Sequence, residues 1–326
     1  FVWAEPGIYE NVALIDVASM HPASLIAMNM FGDRYTKRFQ DIRDARVHIK
    51  RGELDEARKM LDGLLAPYLD DEKKLKGLPD ALKTVINSVY GLTAASFPNP
   101  FKHKDNIDNK VAKRGALFMV DILEMVKAEG YQPVHVKTDS IKIANADEYI
   151  INKCLEMAGK YGYEFEHEAT YEKMCLVNDA VYLAKYKGGK KDGQWTATGA
   201  QFADPYVADR LYKHPEVIDI VSYQVTKAVS KGAIYLKPDN GEPIFVGRVS
   251  SFLPVKERGY ELLRIVDGKE SAVTGTKGYK WIEASMYKVF LSEGIDVPID
   301  WSYFDTLYTK AYDTIAKYGD PERFLS

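Results

Sequence analysis

Two aspartates in this chain stand where carboxylates can meet phosphates. The segment "VHVKTDSIKIA", residues 134 to 144, alternates like a strand around a bare Thr138-Asp139. With those two residues as a hairpin tip, Lys137 pairs with Ser140, Val136 with Ile141 and Val134 with Ile143. Those valines and isoleucines share one apolar face, and His135, Lys137, Ser140 and Lys142 share the other. Asp139 is then a carboxylate on a rigid, exposed tip above a basic surface. An ordinary surface hairpin reads the same way, so this acid needs a partner. Asp16 offers one. It ends the apolar run Val12 to Ile15, which has the character of a strand buried on both faces. Ser19 can cap the next element, and Pro22 suits the first turn of a helix through about Met30. An acid at a strand end, with backbone N–H groups entering a helix just after it, can hold a metal and receive phosphates; equally, it can simply cap its loop.

A third group comes from "PDALKTVINSVYG", a helix expected to start at Pro79 and close at Gly91. On a 3.6-residue repeat Lys83, Asn87 and Tyr90 form one stripe, while Leu82, Val85, Ile86 and Val89 face the other way. Cations cluster elsewhere too. Residues 34 to 51 hold Arg34, Lys37, Arg38, Arg43, Arg46, Lys50 and Arg51, and "LAKYKGGKK" (183–191) holds lysines without an acid. A further basic stretch runs from Lys102 to Arg114. One such run is usually a solvated face. Three, interleaved with Tyr and Phe, favour a polyanion partner despite the net charge of -3.

The elements that position these groups must come from a sizeable core. At 326 residues the chain has material for about two domains, and 46% hydrophobic with 28% charged residues is ordinary for a globular protein. No apolar run approaches about 18 residues, so no membrane span is expected. Cys154 and Cys175 form no CxxC pair and suggest a reducing compartment. Residues 34–78 read as a basic amphipathic helix, a second helix in "GELDEARKMLDGLL" and a lysine-containing loop. A helix over about 109–129 leads into the hairpin, and "YEFEHE" (163–168) alternates its glutamates onto one strand face. After about 230 come the β-rich "IFVGRVSSFLPV" and two amphipathic helices near 278–293 and 301–318.

Three segments in order resemble the polymerase motifs of family B DNA polymerases, especially phage-type ones. "DVASMHPAS" looks like the first, usually Asp-x-x-Ser-Leu-Tyr-Pro-Ser. "KTVINSVYG" matches the second, Lys-x-x-x-Asn-Ser-x-Tyr-Gly, at every fixed position. "VKTDS" resembles the third, Gly-Asp-Thr-Asp-Ser. Weaker echoes place Tyr182 at the tyrosine of the Lys-Lys-x-Tyr motif and put "VGRVSSFLPV" and "VPIDWSYFDTLYTKAYDTI" at the thumb end, so the resemblance spans nearly the whole chain.

The resemblance implies an α+β right-hand polymerase with an antiparallel-sheet palm, helical fingers and a mixed thumb. Its segments would be palm 1–32, fingers 33–98, palm 99–222 and thumb 223–326. It implies a DNA-directed DNA polymerase, a nucleotidyltransferase that adds dNTPs to the primer 3′-OH of a primer-template DNA, in a phage replicative enzyme. Asp16 and Asp139 would be the catalytic acids, holding two Mg²⁺ ions about 3.5–4 Å apart with the Val17 carbonyl as a further ligand, and Mn²⁺ able to substitute. Ser19, Met20, His21, Lys83, Asn87 and Tyr90 would form the nucleotide site, with Lys83 on the triphosphate. Lys137, Thr138, Ser140, Tyr182, Lys185 and Lys187 would contact DNA. The enzyme would work in the cytoplasm, that of the bacterial host for a phage protein.

The chain also departs from that pattern. Lys137 replaces the first aspartate of the third motif, so the site loses a negative charge and gains a positive one; Glu166 or Glu168 can supply a third acid. Asp179-Ala180 replace the lysine pair before Tyr182, leaving Lys185 and Lys187 as substitutes. His21 stands where a tyrosine usually packs under the deoxyribose. The family's exonuclease lies upstream of the first motif, where little sequence precedes Asp16, so it is expected to be missing here or carried by a separate domain or subunit. The alternatives are a non-catalytic palm that binds DNA or a subunit, and another palm polymerase of the reverse-transcriptase kind.

Overall fold

The computed structural model describes all 326 residues. The chain packs as two compact units: Phe1–Asp179 with Lys185–Gln194, and Ala180–Ala184 with Trp195–Ser326. This division is coarser than the four expected segments, and it places residues 195–222 with the second unit.

The first unit is built on antiparallel strands in the order β1-β3-β4-β2-β5. These are β1 (Val2–Ala4), β2 (Gly7–Val17), β3 (Gln132–Lys137), β4 (Ser140–Ala144) and β5 (Phe165–Asn178). The β3–β4 hairpin turns at Thr138-Asp139, with Lys137 opposite Ser140 and Val136 opposite Ile141, as the alternation predicts. Thr138 takes a left-handed conformation (φ 54°), which lets two residues reverse the chain. One expectation fails: Ile143 faces Pro133, not Val134, because the pairing slips between Pro133 and His135.

Val136, Ile141, Ile143, Ile15, Val17 and Phe165 bury one sheet face against helices α6 (Lys110–Ala128) and α7 (Glu148–Lys160). Six such side chains contribute roughly 1.5–3 kcal/mol each, and this burial fixes the register, since a one-residue slip would turn them all to the other face. The opposite face carries the polar residues. It is not an open basic surface: His135 and Lys142 are 1% and 4% exposed.

Around the sheet lie α1 (Met20–Ala27), α2 (Gly32–Arg51), the short α3 (Leu54–Lys59) and α4 (Ala66–Leu69), and α5 (Glu72–Thr93). Two helix boundaries differ from expectation. Ser19 adopts a left-handed backbone and its side chain makes no capping bond, and α1 stops at Ala27. The lysine-containing loop before Pro79 is instead the first part of α5, where Asp71 caps the start by accepting from the Lys73 and Lys74 amides. A proline inside a helix costs about 3 kcal/mol. Leu75, Leu78, Leu82 and Ile86 continue one packed stripe across it, and burying them outweighs that cost. Val85, expected on that stripe, is 47% exposed. On α6, Gly115 allows α1 to approach closely: an added Cβ would sit 2.5 Å from Met20 Sδ.

The chain leaves the first unit after Asp179 and returns to it at Lys185, within β6 (Val181–Lys187). The second unit contains β7 (Trp195–Thr198) and the short helices α8 (Ala200–Ala203) and α9 (Pro205–Ala208). A three-stranded sheet has the order β14-β11-β8, from β14 (Lys280–Glu283), β11 (Val249–Val255) and β8 (Val225–Ala228). A four-stranded sheet has the order β10-β9-β12-β13, from β10 (Ile244–Gly247), β9 (Ala233–Lys237), β12 (Glu261–Val266) and β13 (Lys269–Ala272). Helices α10 (Ala284–Ser292), α11 (Trp301–Ala316) and α12 (Pro321–Leu325) complete it around Trp281, Phe252 and Phe304. Residues 280–283, expected as helix, pair with β11 instead, so that helix begins at Ala284. No helix is long and apolar enough to cross a membrane.

Candidate active site

Asp16 does not end its strand; it sits inside β2, one residue before the end. The last residue of β2 then makes the decisive contact. The Val17 amide donates to the Asp139 carbonyl at 2.9 Å, bolting the hairpin tip to the end of β2. Two acids far apart in sequence are thereby brought to one place. Asp139 is consequently half-buried rather than standing on an exposed tip. In the sheet Asp16 lies opposite Ser140 on one side and Glu166 on the other, so all three side chains leave by the same face.

That face forms the floor of a cavity of about 840 Å³, a size suited to a small ligand, roughly 300–1,000 Å³. Asp16, Asp139, Glu166 and Glu168 supply its acidic side. Lys83, Asn87 and Tyr90 line it from α5, as their spacing predicts, and Val17, Ser19, Met20 and His21 line it from the loop after β2 and the start of α1. Sequence reasoning missed the α2 wall. Arg43, Arg46, Lys50 and Arg51 enter the same cavity, and their i, i+3, i+7, i+8 spacing is the signal that marks one helical face. Arg46 Nε donates to the Pro79 carbonyl at 3.0 Å, which ties α2 to α5. Arg51 pairs with Glu164 at 3.2 Å.

The DNA-contact candidates lie elsewhere. Lys137, Thr138 and Ser140 belong to the hairpin but do not line the cavity. Lys137 is exposed, and the Thr138 amide donates to the Phe1 carbonyl at 3.0 Å. Lys185 lies 3.8 Å from Glu172, and Lys187 donates to Asn11 Oδ1 at 3.3 Å. Tyr182 falls in the stretch that packs with the second unit.

Burial sets the electrostatics of the floor. Half-burial, then Asp139, Glu168 and Glu166, push the Asp16 carboxyl up to about 7, with Lys142 opposing. Burial likewise raises Asp139. Asp16 and Asp139, both half-buried, form a pair of hard-oxygen donors whose repulsion a divalent cation would relieve. The pair is the limit of that fit: no three His, Cys, Asp or Glu side chains converge as a metal cage, and Glu166 and Glu168 do not complete one.

Above the floor, the His21 ring stacks on Tyr90 with centroids 4.3 Å apart and planes 8° from parallel. Burial lowers the His21 pKa, so the ring is neutral near pH 7, and its buried Nδ1 has no hydrogen-bond partner.

No protein-family model matches the chain, and no curated protein matches it in sequence. Among solved structures it is similar to the family B DNA polymerase from the hyperthermophilic archaeon Pyrobaculum calidifontis, with a TM-score of 0.51 and 13% identity. The fold is DNA-polymerase-like. The match covers 97% of this chain and 46% of that one, so the chain spans less than half the length of its structural neighbour. At that identity the likeness concerns the fold alone.

Proposed function

We propose that this protein is a template-directed DNA polymerase that adds dNTPs to a primer 3′-OH, with the first unit acting as palm and fingers of a right hand. One observation carries the reading: a carboxylate from β2 and one from the β3–β4 turn meet on the floor of a cavity whose other wall is a row of cations. A nucleoside triphosphate has the matching polarity. Its phosphates need the cations, and the reacting oxygens need a cation-binding acid pair.

In this reading Lys83, Arg46 and Lys50 hold the triphosphate and neutralise the charge that moves onto the leaving pyrophosphate. Tyr90, Asn87 and His21 pack around the incoming base and sugar. Asp16 and Asp139, with the Val17 carbonyl, are the residues that would hold Mg²⁺ or Mn²⁺. When bound, such ions lower the pKa of the primer hydroxyl and neutralise phosphate charge. The acids' own part is to bring two carboxylates to one point. Lys137, Tyr182, Lys185 and Lys187 are assigned to DNA, and an exonuclease domain or subunit is the natural partner. A phage replicative role fits the same motifs.

A second reading, a palm that binds DNA or a subunit without catalysis, draws on Lys137 in place of an acid and on the lack of a three-carboxylate cage. Primer extension by the purified protein with Mg²⁺ separates the two. Asp16→Asn and Asp139→Asn should each lower extension at least ~10³-fold, a loss of about 4 kcal/mol of transition-state stabilisation, with primer-template affinity kept. Extension by either variant at the wild-type rate would refute the assignment.

A further inference from the structure

One buried cation on the polar face of the sheet has no part in that chemistry. Lys142 is 4% exposed, and an isolated buried ammonium is costly, so its surroundings must compensate it. Its Nζ lies 3.0 Å from His135 Nδ1, and His135 Nε2 lies 3.1 Å from the Asp179 carbonyl. An ammonium can only donate and a carbonyl can only accept, so the imidazole between them must be neutral, with its proton on Nε2. Burial, reinforced by the charge on Lys142, lowers the His135 pKa to about 4 and keeps that state near pH 7. The chain of bonds therefore has a fixed direction, from Lys142 through His135 to backbone, and it anchors one end of the lysine.

The sheet register puts an acid on the same face. Lys142 lies opposite Leu14 and Ser140 opposite Asp16, so Lys142 and Asp16 leave by the same face at diagonal positions. Diagonal neighbours stand about 7–8 Å apart at their Cα atoms, within reach of a lysine side chain. Burial lowers the Lys142 pKa to about 8; Asp16 is the charge that most opposes this, ahead of Glu168, while Lys137 adds to it.

We propose that Lys142 is a positioning residue for Asp16, a built-in cation, braced by His135, that holds this carboxylate in one orientation. It touches no substrate. The inference rests on the polymerase reading and adds to it a reason why Asp16 keeps its place before any metal arrives. Lys137 is not held in this way, since it is exposed.

The test compares wild type with Lys142→Met, which keeps the length and removes the charge, and with Lys142→Arg, which keeps the charge. Removing one member of a buried charge cluster strands its neighbours and costs stability, so Lys142→Met is assayed well below its own melting temperature. Its kcat for single-nucleotide addition should fall ~30-fold or more, with KM for dNTP and Kd for primer-template within ~3-fold, and Lys142→Arg should recover part of kcat. Metal-free crystal structures give an activity-independent readout: one Asp16 rotamer in wild type and in Lys142→Arg, a displaced or split carboxylate in Lys142→Met. An unchanged kcat with an unmoved Asp16 overturns the proposal. So does a loss of kcat matched by a loss of DNA affinity, which is what a merely structural lysine would give. If Lys142→Met does not fold, the Asp16 position and kcat of Lys142→Arg decide: disorder of the carboxylate there overturns it. Wild type that extends no primer removes the polymerase reading and this inference with it, whereas wild type active beside a fully active Lys142→Met removes the inference alone.

Discussion

Asp16 carries a free-energy cost that shows without any substrate. Its carboxyl is pushed from 3.8 to about 7 in the folded chain, chiefly by burial and then by Asp139. A raised acid favours folding fully below its unfolded pKa, and that contribution disappears as pH rises through the folded value. For metal-free protein the window is therefore about pH 4 to 7, with stability falling as pH rises. Asp16→Asn removes the titration, so its melting temperature should gain on wild type steadily from about pH 4 to 7 and level off above that. A flat difference across that range would contradict the assigned shift. Added Mg²⁺ at about pH 8 should raise the wild-type melting temperature more than that of the variant, because only wild type has both acids to bind it. His21 acts at the same scale. Its ring is held flat on Tyr90 and has little freedom to yield to a 2′-OH. His21→Ala should raise ribonucleotide use relative to dNTP by ~10-fold or more, about 1.4 kcal/mol of lost discrimination. Matched single-nucleotide incorporations read this ratio, and an unchanged value would place sugar selection elsewhere.

Helices α2 and α5 make the basic wall as a pair. The Arg46–Pro79 bond joins them, and a helix that runs through its proline presents Lys83, Asn87 and Tyr90 as one continuous stripe. Lys83 is exposed toward the cavity as a point charge, the form of cation suited to a phosphate that moves during reaction. Lys83→Ala should lower kcat/KM for dNTP strongly and leave primer-template Kd within a few fold. Equal losses in both would show that the residue serves DNA binding or folding. Because Arg46 also braces α5, Arg46→Ala should both weaken dNTP use and lower the melting temperature, which separates the two residues.

At the scale of the molecule, the cores are closed. Cys154 and Cys175 are fully buried free thiols, each with its pKa pushed up to about 12 by burial. Both lie in the first unit, one on α7 and one on β5. A thiol reagent at about pH 8 should therefore modify almost none of the native protein and both thiols in denaturant, at a rate that reports opening of that core. Rapid labelling of native protein would mean that the sheet and α7 separate far more readily than their packing implies.

Local chemistry and periodicity are legible in the sequence. The hairpin at Thr138-Asp139, the two-sided burial of β2 and the stripe of Lys83, Asn87 and Tyr90 come from side-chain alternation and helical repeat, which any short segment carries by itself. Boundaries are less so. Pro79 reads as a helix start because its local cost is visible in sequence, whereas the packed stripe that outweighs that cost depends on neighbours. The Val134 slip and the strand at 280–283 are likewise set by partners across the sheet. Only the tertiary structure decided which charges meet. The Val17–Asp139 bond, the α2 wall facing the acids and the Lys142–His135 brace join residues distant in sequence, and no local pattern encodes a distance. The raised pKa of Asp16 belongs to the same class, since desolvation and repulsion exist only once the chain has closed around it.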